Sequence, residues 1–292
     1  MTSCLMPIKY TWDCRIQRAE NLAKPETPSG KILMFYIEIL KWQHDAFKRL
    51  AEASRNRPLT GSFEVDHPLF LDHFDSLLEL ARRKGSQALI AQAEDLIVEN
   101  AGWKEKLAGY WNGEMNSDQD LFARAALQPY LELLATSQIL PFDSNLLIAN
   151  ATDQTAITEE PQPHRMCPFC GRKPQVAFLS NDTSMPGLLE GSAEGGRRFL
   201  MCGDCLTLWP FLRIACVSCS EQDPHKLPYY QAEELPYVRV DCCDACKCYI
   251  KTIDLTKDNR AVPPVDELAA IPLDLWAQDH GYTKIHPNLA GM

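Results

Sequence analysis

Eight of the twelve cysteines in this chain fall into four pairs with two residues between the members: Cys167/Cys170, Cys202/Cys205, Cys216/Cys219 and Cys243/Cys246. Two thiolates so spaced curl onto one side of a tight turn and bind a single metal ion. Four pairs therefore supply the ligands for two tetrahedral Cys4 sites. In Cys167-Pro168-Phe169-Cys170-Gly171, proline fixes φ after the first ligand. Glycine after the second takes the positive φ that lets backbone N–H groups point at sulfur. The other three knuckles, Cys202-Gly203-Asp204-Cys205, Cys216-Val217-Ser218-Cys219 and Cys243-Asp244-Ala245-Cys246, lack that full signature and rest on spacing.

Loop length suggests how the knuckles pair. Thirty-one residues separate Cys170 from Cys202 and twenty-three separate Cys219 from Cys243, room for a strand or two. Only ten separate Cys205 from Cys216, which suits a link between two modules. Sequential sites are expected, with Cys167, Cys170, Cys202 and Cys205 holding one metal and Cys216, Cys219, Cys243 and Cys246 the other; an interleaved pairing stays open. Tetrahedral S4 coordination suits iron and zinc alike. No signature of a catalytic residue or of an organic cofactor accompanies these knuckles.

The elements that position the knuckles follow from the rest of the chain. A length of 292 residues suits about two domains, and 46% hydrophobic with 23% charged residues is the composition of a soluble globular chain. The N-terminus, Met1-Thr2-Ser3-Cys4-Leu5-Met6-Pro7, has neither a basic nor an apolar leader region, and no run reaches the ~18 apolar residues of a membrane span. A cytoplasmic location is expected, where C-x-x-C pairs read as metal ligands or redox thiols before structural disulfides. A net charge of −10 argues against a general nucleic-acid surface.

Residues 1–150 read as a helical domain. Ile32, Phe35, Ile39, Trp42, Ala46 and Leu50 mark the apolar face of a long helix over 31–54. Further helices are predicted from Asp66-His67-Pro68 to Lys84, over 87–107, from a cap at Ser117-Asp118-Gln119-Asp120 to Gln138, and over 15–23. His44, His67 and His73 read as surface or capping residues, and Trp103, Tyr110 and Trp111 as packing residues. A polar, proline-bearing linker covers 151–166. Beyond it short extended runs flank every knuckle: Gln175–Leu179, Arg198–Met201, Arg213–Ala215, Tyr237–Val240 and Tyr249–Ile253. Ser180–Gly196 and Ser220–Pro236 read as loops. Sheets this thin bury little, so the metals would supply much of the folding free energy. A helix over 265–280 closes the fold, kinked or divided by Pro272. The expected class is α+β: a helical domain, the linker, a first rubredoxin-like or zinc-ribbon metal module at 167–210, and a second at 211–292 with the C-terminal helix.

Cys-Pro-x-Cys-Gly at 167, Gly196-Arg197-Arg198-Phe199-Leu200-Met201-Cys202, Trp209 with Arg213, Cys243-Asp244-x-Cys246 with Tyr249-Ile250-Lys251, Asp266-Glu267-Leu268-Ala269, Gly281-Tyr282 and Pro287-Asn288 together resemble the formate dehydrogenase accessory protein FdhE family. Upstream, Arg15 to Ala23 and the helix after it look like that family's helical N-terminal domain. The resemblance implies a cytoplasmic non-enzyme that binds the catalytic subunit of formate dehydrogenase before export. It also implies two rubredoxin-like modules, iron-bearing in some members, with redox-labile thiols. Trp209, Arg213 and Lys251 match family positions without a derivable role. Cys242 and Cys248 depart from the pattern: the simple reading is small strand residues, the sharper one spare thiols that exchange with ligands or form a reversible disulfide.

Two alternatives stand beside the assembly factor. One is a thiol–disulfide or sulfur-transfer enzyme working through a free cysteine, which would need an exposed thiol of low pKa. The other is a zinc-ribbon module for nucleic acid. Self-association and the partner-binding face are left open.

Overall fold

A computed structural model describes residues 10–70, 73–98, 102–113, 121–140, 164–182 and 196–291 of the 292-residue chain. Its fold is α+β. Cys4, the predicted cap at 117–120, most of the linker and most of the 180–196 loop lie outside the described residues.

The helical half runs α1 (Trp12–Leu22), α2 (Pro28–Asn56), α3 (Phe63–Asp66), α4 (Phe74–Lys84), α5 (Gln87–Val98), α6 (Gly102–Asn112) and α7 (Leu121–Ser137). α2 starts three residues before the predicted 31: Thr27 accepts from Gly30 N at 3.0 Å and Pro28 occupies the first turn. Its buried face is Leu33, Tyr36, Ile37, Ile39, Leu40, Gln43 and Leu50, so Ile39 and Leu50 of the predicted stripe are buried, whereas Ile32, Phe35, Trp42 and Ala46 are half-buried. The buried stripe thus overlaps the one predicted only in part, because this helix carries apolar groups on more than one face.

Two predicted helices are divided. The one placed at 66–84 becomes α3, a 3-10 turn at His67–Leu69 and α4. Asp66 does not open a helix; its buried carboxylate accepts from Thr60 N, Gly61 N and Tyr130 Oη, the last at 2.8 Å. The 87–107 helix becomes α5 and α6.

α7 is the central helix, buried from Phe122 to Ala135 although Pro129 sits inside it. Proline has no N–H to offer the carbonyl four residues back. Gln43 of α2 replaces it, its Nε2 donating to Ala125 O at 2.9 Å and to Gln128 Oε1 at 2.9 Å.

The other half forms one sheet in the order β3-β2-β1-β6-β5-β4, from β1 (Pro174–Ser180), β2 (Arg197–Cys202), β3 (Leu208–Pro210), β4 (Tyr229–Gln231), β5 (Val238–Cys242) and β6 (Cys248–Asp254). A short β7 (Thr283–Lys284) extends β6 on the side of β1. Each half of the sheet is an antiparallel three-strand unit, and the two join through parallel pairing of β1 with β6. The unit repeats as knuckle, two strands, knuckle, strand.

The predicted run Arg213–Ala215 is a bend, and the stretch 220–236 is not all loop, since it contains β4. Nor is the sheet thinly covered. Val176, Phe178, Phe199, Met201, Val238, Val240 and Ile253 are buried on one face, under helices α8 (Pro263–Ala269) and α9 (Ile271–Asp279) and residues such as Tyr10. The break between α8 and α9 falls at Ala270, with Pro272 in the first turn of α9.

Buried charges lock this layer. Lys251 of β6 donates to Asp274 and to Glu267 O, and its Nζ lies 2.8 Å from Glu267 Oε1 and 3.3 Å from Ala270 O. Lys284 pairs with Glu267 and, at 2.9 Å, with Asp274. Two cations thus face two carboxylates, all at most 4% exposed, the arrangement that buried charge requires. Lys251, without a role in the sequence, ties the sheet to both closing helices.

Candidate metal centres

All four knuckles are one turn. The first cysteine's N–H donates to the carbonyl five residues on: Cys167 to Arg172, Cys202 to Thr207, Cys216 to Glu221 and Cys243 to Cys248, at 2.8 to 3.0 Å. The residue after the second cysteine has positive φ each time: Gly171 at 75°, Leu206 at 57°, Ser220 at 65° and Lys247 at 58°. The glycine signature of the first knuckle was thus a sufficient mark of the turn but not a necessary one. Three L-residues accept the left-handed conformation, at ~1–2 kcal/mol each.

The turns bring the sulfurs together sequentially. Cys167, Cys170, Cys202 and Cys205 form one group, and Cys216, Cys219, Cys243 and Cys246 the other, all sulfurs within 4.8 Å of one another in each. Closest pairs are 3.4 and 3.6 Å in the first group and 3.6 Å twice in the second. A tetrahedron with metal–sulfur bonds of ~2.3 Å has edges of ~3.8 Å, so the donor sets fit one four-coordinate ion each. Asp204 N points at Cys202 Sγ (3.4 Å) and Ser218 N at Cys216 Sγ (3.3 Å), as thiolate ligands need. Burial opposes the thiolate at Cys202, but donation from Cys167, Cys170, Cys205 and Asp204 N–H holds its pKa well below the ordinary thiol value.

The two centres differ in exposure. The first is sealed, no cysteine more than 2% exposed. In the second Cys219 is exposed and Cys246 half-buried. What seals the first is a set of groups from distant parts of the chain. Asp204, inside the second knuckle, accepts from Tyr110 Oη and lies 3.4 Å from Arg124 Nε and 3.5 Å from Arg172 Nε. Arg172 also donates to Tyr110 O at 2.8 Å, and Arg124 to Gly203 O at 2.9 Å. A Cβ on Gly203 would lie 2.4 Å from the His286 ring and 2.8 Å from Arg124, so only glycine fits there.

Comparison with known proteins places this architecture. The family described as "FdhE, C-terminal domain" matches residues 214–290. An FdhE homologue of Aquifex aeolicus is 29% identical over 291 residues, 94% of both chains. FdhE of Escherichia coli is 28% identical over 299 residues, 95% of this chain and 86% of that one. The chain is similar to FdhE proteins over nearly its whole length. The crystal structure of FdhE from Pseudomonas aeruginosa has the same fold, with a TM-score of 0.63 over 97% of this chain and 96% of that one, at 23% identity.

Trp209 Nε1 donates to His164 O at 2.7 Å, and Arg213 to Gly196 O at 2.6 Å, so both fasten loops. Cys242 pairs with Tyr249 across the β5–β6 ladder, which puts Cys248 on the opposite face and disfavours a disulfide between the two. Burial, with Asp241 and Asp244 adding, pushes the Cys242 thiol up to about 12. His44 stacks on Trp12, His67 on Phe63, and His73 meets Arg49; among the described residues no histidine joins a ligand group. Trp103 packs on Phe74 and Trp111 on Phe63. Tyr110 packs too, but its hydroxyl also reaches the first centre. The sequence reading missed this shell: Arg124, Asp204 and His286 carry no local signal, and Gly203, where a Cβ would clash, is the one residue that could have marked it.

Proposed function

We propose that this chain is an accessory protein for formate dehydrogenase maturation that binds the enzyme's catalytic subunit in the cytoplasm and is not itself an enzyme. The observation that carries this reading is collinear likeness to FdhE proteins over nearly the whole of both chains, from a family linked to formate dehydrogenase maturation. Cys167, Cys170, Cys202 and Cys205 would hold one metal ion, iron or zinc, and Cys216, Cys219, Cys243 and Cys246 a second. Each ion supplies a cross-link between two knuckles, while the chain's own residues build the surface. The proposed domain boundaries are 1–150, 151–166, 167–210 and 211–292.

Support for a non-catalytic role comes from the thiols. Exchange chemistry needs an exposed cysteine of low pKa. Cys242 is buried and pushed up, Cys219, exposed and held below the ordinary thiol value, sits in a ligand group, and Cys14 and Cys248 are half-buried. A net charge of −10 counts against nucleic acid as partner. Among the described residues no helix is long and apolar enough to cross a membrane.

Anaerobic co-purification with the host's formate dehydrogenase catalytic subunit tests the reading, with metal measured on the same fractions. Co-elution at about two metals per chain, lost in a Cys167→Ser/Cys170→Ser variant, is the expected result. Absence of co-elution with both centres loaded overturns it.

A further inference from the structure

Beside the second centre, on the sheet face turned away from α8 and α9, lies a cavity of about 300 Å³. Its wall carries three arginines, Arg198, Arg213 and Arg239, and a single carboxylate, Asp241. Two cysteines of the second centre, Cys216 and Cys243, share this wall, so the excess of arginine is over carboxylate alone, in a chain of net charge −10.

Asp241 is already shared. It accepts from Arg198 at 3.1 Å and from Thr252 Oγ1 at 2.7 Å, and Arg239 Nε lies 2.7 Å from its other oxygen. Arg198 is only 3% exposed, yet its Nε–H meets no acceptor among the described residues. A buried guanidinium with an idle donor, beside two further arginines, calls for a second anion.

The rim says what kind. β4 pairs only with β5 among the described residues, and Tyr229, Tyr230 and Gln231 are all exposed along it. Ile214, on the cavity wall, is 55% exposed and neighbouring Leu212 41%. An open strand edge takes an extended chain by adding a strand, with pockets reading alternate side chains.

We propose that this cavity and the β4 edge bind an extended acidic segment of a partner protein, one carboxylate of which enters the cavity and pairs with the arginines. The inference rests on the reading that the chain binds a protein partner, and names the chemistry of the contact.

The test uses the full-length metal-loaded chain and a fluorescein-labelled hexapeptide alternating valine and glutamate, beside its glutamine counterpart, by fluorescence polarisation. The glutamate peptide should bind about tenfold or more tighter, the scale of a lost charged hydrogen bond. That preference should vanish in an Arg213→Gln/Arg239→Gln variant that keeps its metal; Arg198 is left intact because it is buried. Equal binding of the two peptides, or a preference that survives the double substitution, overturns the proposal. So does metal loss in the variant with the preference retained, which would make the arginines counter-charges of the cysteine centre. Competition by millimolar acetate as effective as by unlabelled peptide also overturns it, in favour of a small carboxylate ligand. If peptide preference fails while the catalytic subunit still co-purifies, this site falls and the maturation role stands; loss of co-purification by the unaltered chain removes that role instead.

Discussion

The hydroxyl of Tyr110, on α6 of the helical half, donates to the carboxylate of Asp204, which sits between the two cysteines of the second knuckle. Both residues are 1% exposed. Helical half and first centre therefore share a buried hydrogen bond, and the fold of one is a condition for the order of the other. Tyr110→Phe keeps the ring packing and removes the donor, which should cost ~1–3 kcal/mol. Urea unfolding followed by far-UV dichroism and by metal release checks it: both midpoints should fall together.

The difference in exposure between the centres should appear as two rates of metal loss. A chelator should strip one ion from the open centre, where Cys219 meets solvent, well before the sealed one. Cys219→Ser should then abolish the fast phase and leave most of the helical signal. Cys167→Ser should cost far more structure, since it leaves an incomplete ligand set under Arg124, Arg172 and Tyr110. Stopped-flow absorbance of a metal-binding dye reads both.

Gly171→Ala puts a Cβ at φ 75° and should destabilise by ~1 kcal/mol or more. Ser220→Gly and Lys247→Gly relieve the same strain at φ 65° and 58°, against a smaller backbone-entropy cost of ~0.5–1 kcal/mol. They should leave stability unchanged or slightly raised. Thermal melting of the three variants side by side decides it.

Burial alone would raise the pKa of Glu267, but Lys251 and Lys284 outweigh it and hold it at about 2, below the ordinary 4.5. Its ion pairs therefore contribute fully above about 4.5, and that contribution is lost as pH falls through about 2, because the unfolded chain takes up the proton first. Urea midpoints measured across this window should fall steadily. Glu267→Gln should start lower and fall less steeply.

Gln43→Leu leaves the Ala125 carbonyl, already without an N–H from Pro129, buried and unbonded. A loss of ~1–3 kcal/mol is expected. Adding Pro129→Ala restores the helical donor and should recover most of it, a coupling that a double-mutant cycle measures.

Local chemistry made much of this fold legible. The knuckle spacings identified both cysteine groups and the loop lengths their sequential pairing, while the long helix was placed at 31–54, three residues short of the start of α2 at Pro28. Pro272 announced the break between α8 and α9. Contacts across long separations were not legible: nothing near Asp204 points to Tyr110, and nothing near Lys251 points to Asp274 and Lys284. β3, β4 and β7 are too short to show a period of two, and in β4 consecutive tyrosines conceal it. The face of α2 was read only in part, with Ile39 and Leu50 right, because its packing partners, α1 and α7 among them, decide which of its apolar stripes is buried.

The parallel joint of β1 with β6 bears on synthesis. As the chain leaves the ribosome, the first cysteine unit is complete once β3 has emerged, but β6, its neighbour in the finished sheet, is the last long strand of the second unit. Through that interval β1 presents an unpaired edge of Val176, Ala177, Phe178 and Leu179, a ready template for another nascent chain. The window closes only when β6 docks, so the supply of metal to the second unit sets how long the newborn protein stays open to aggregation.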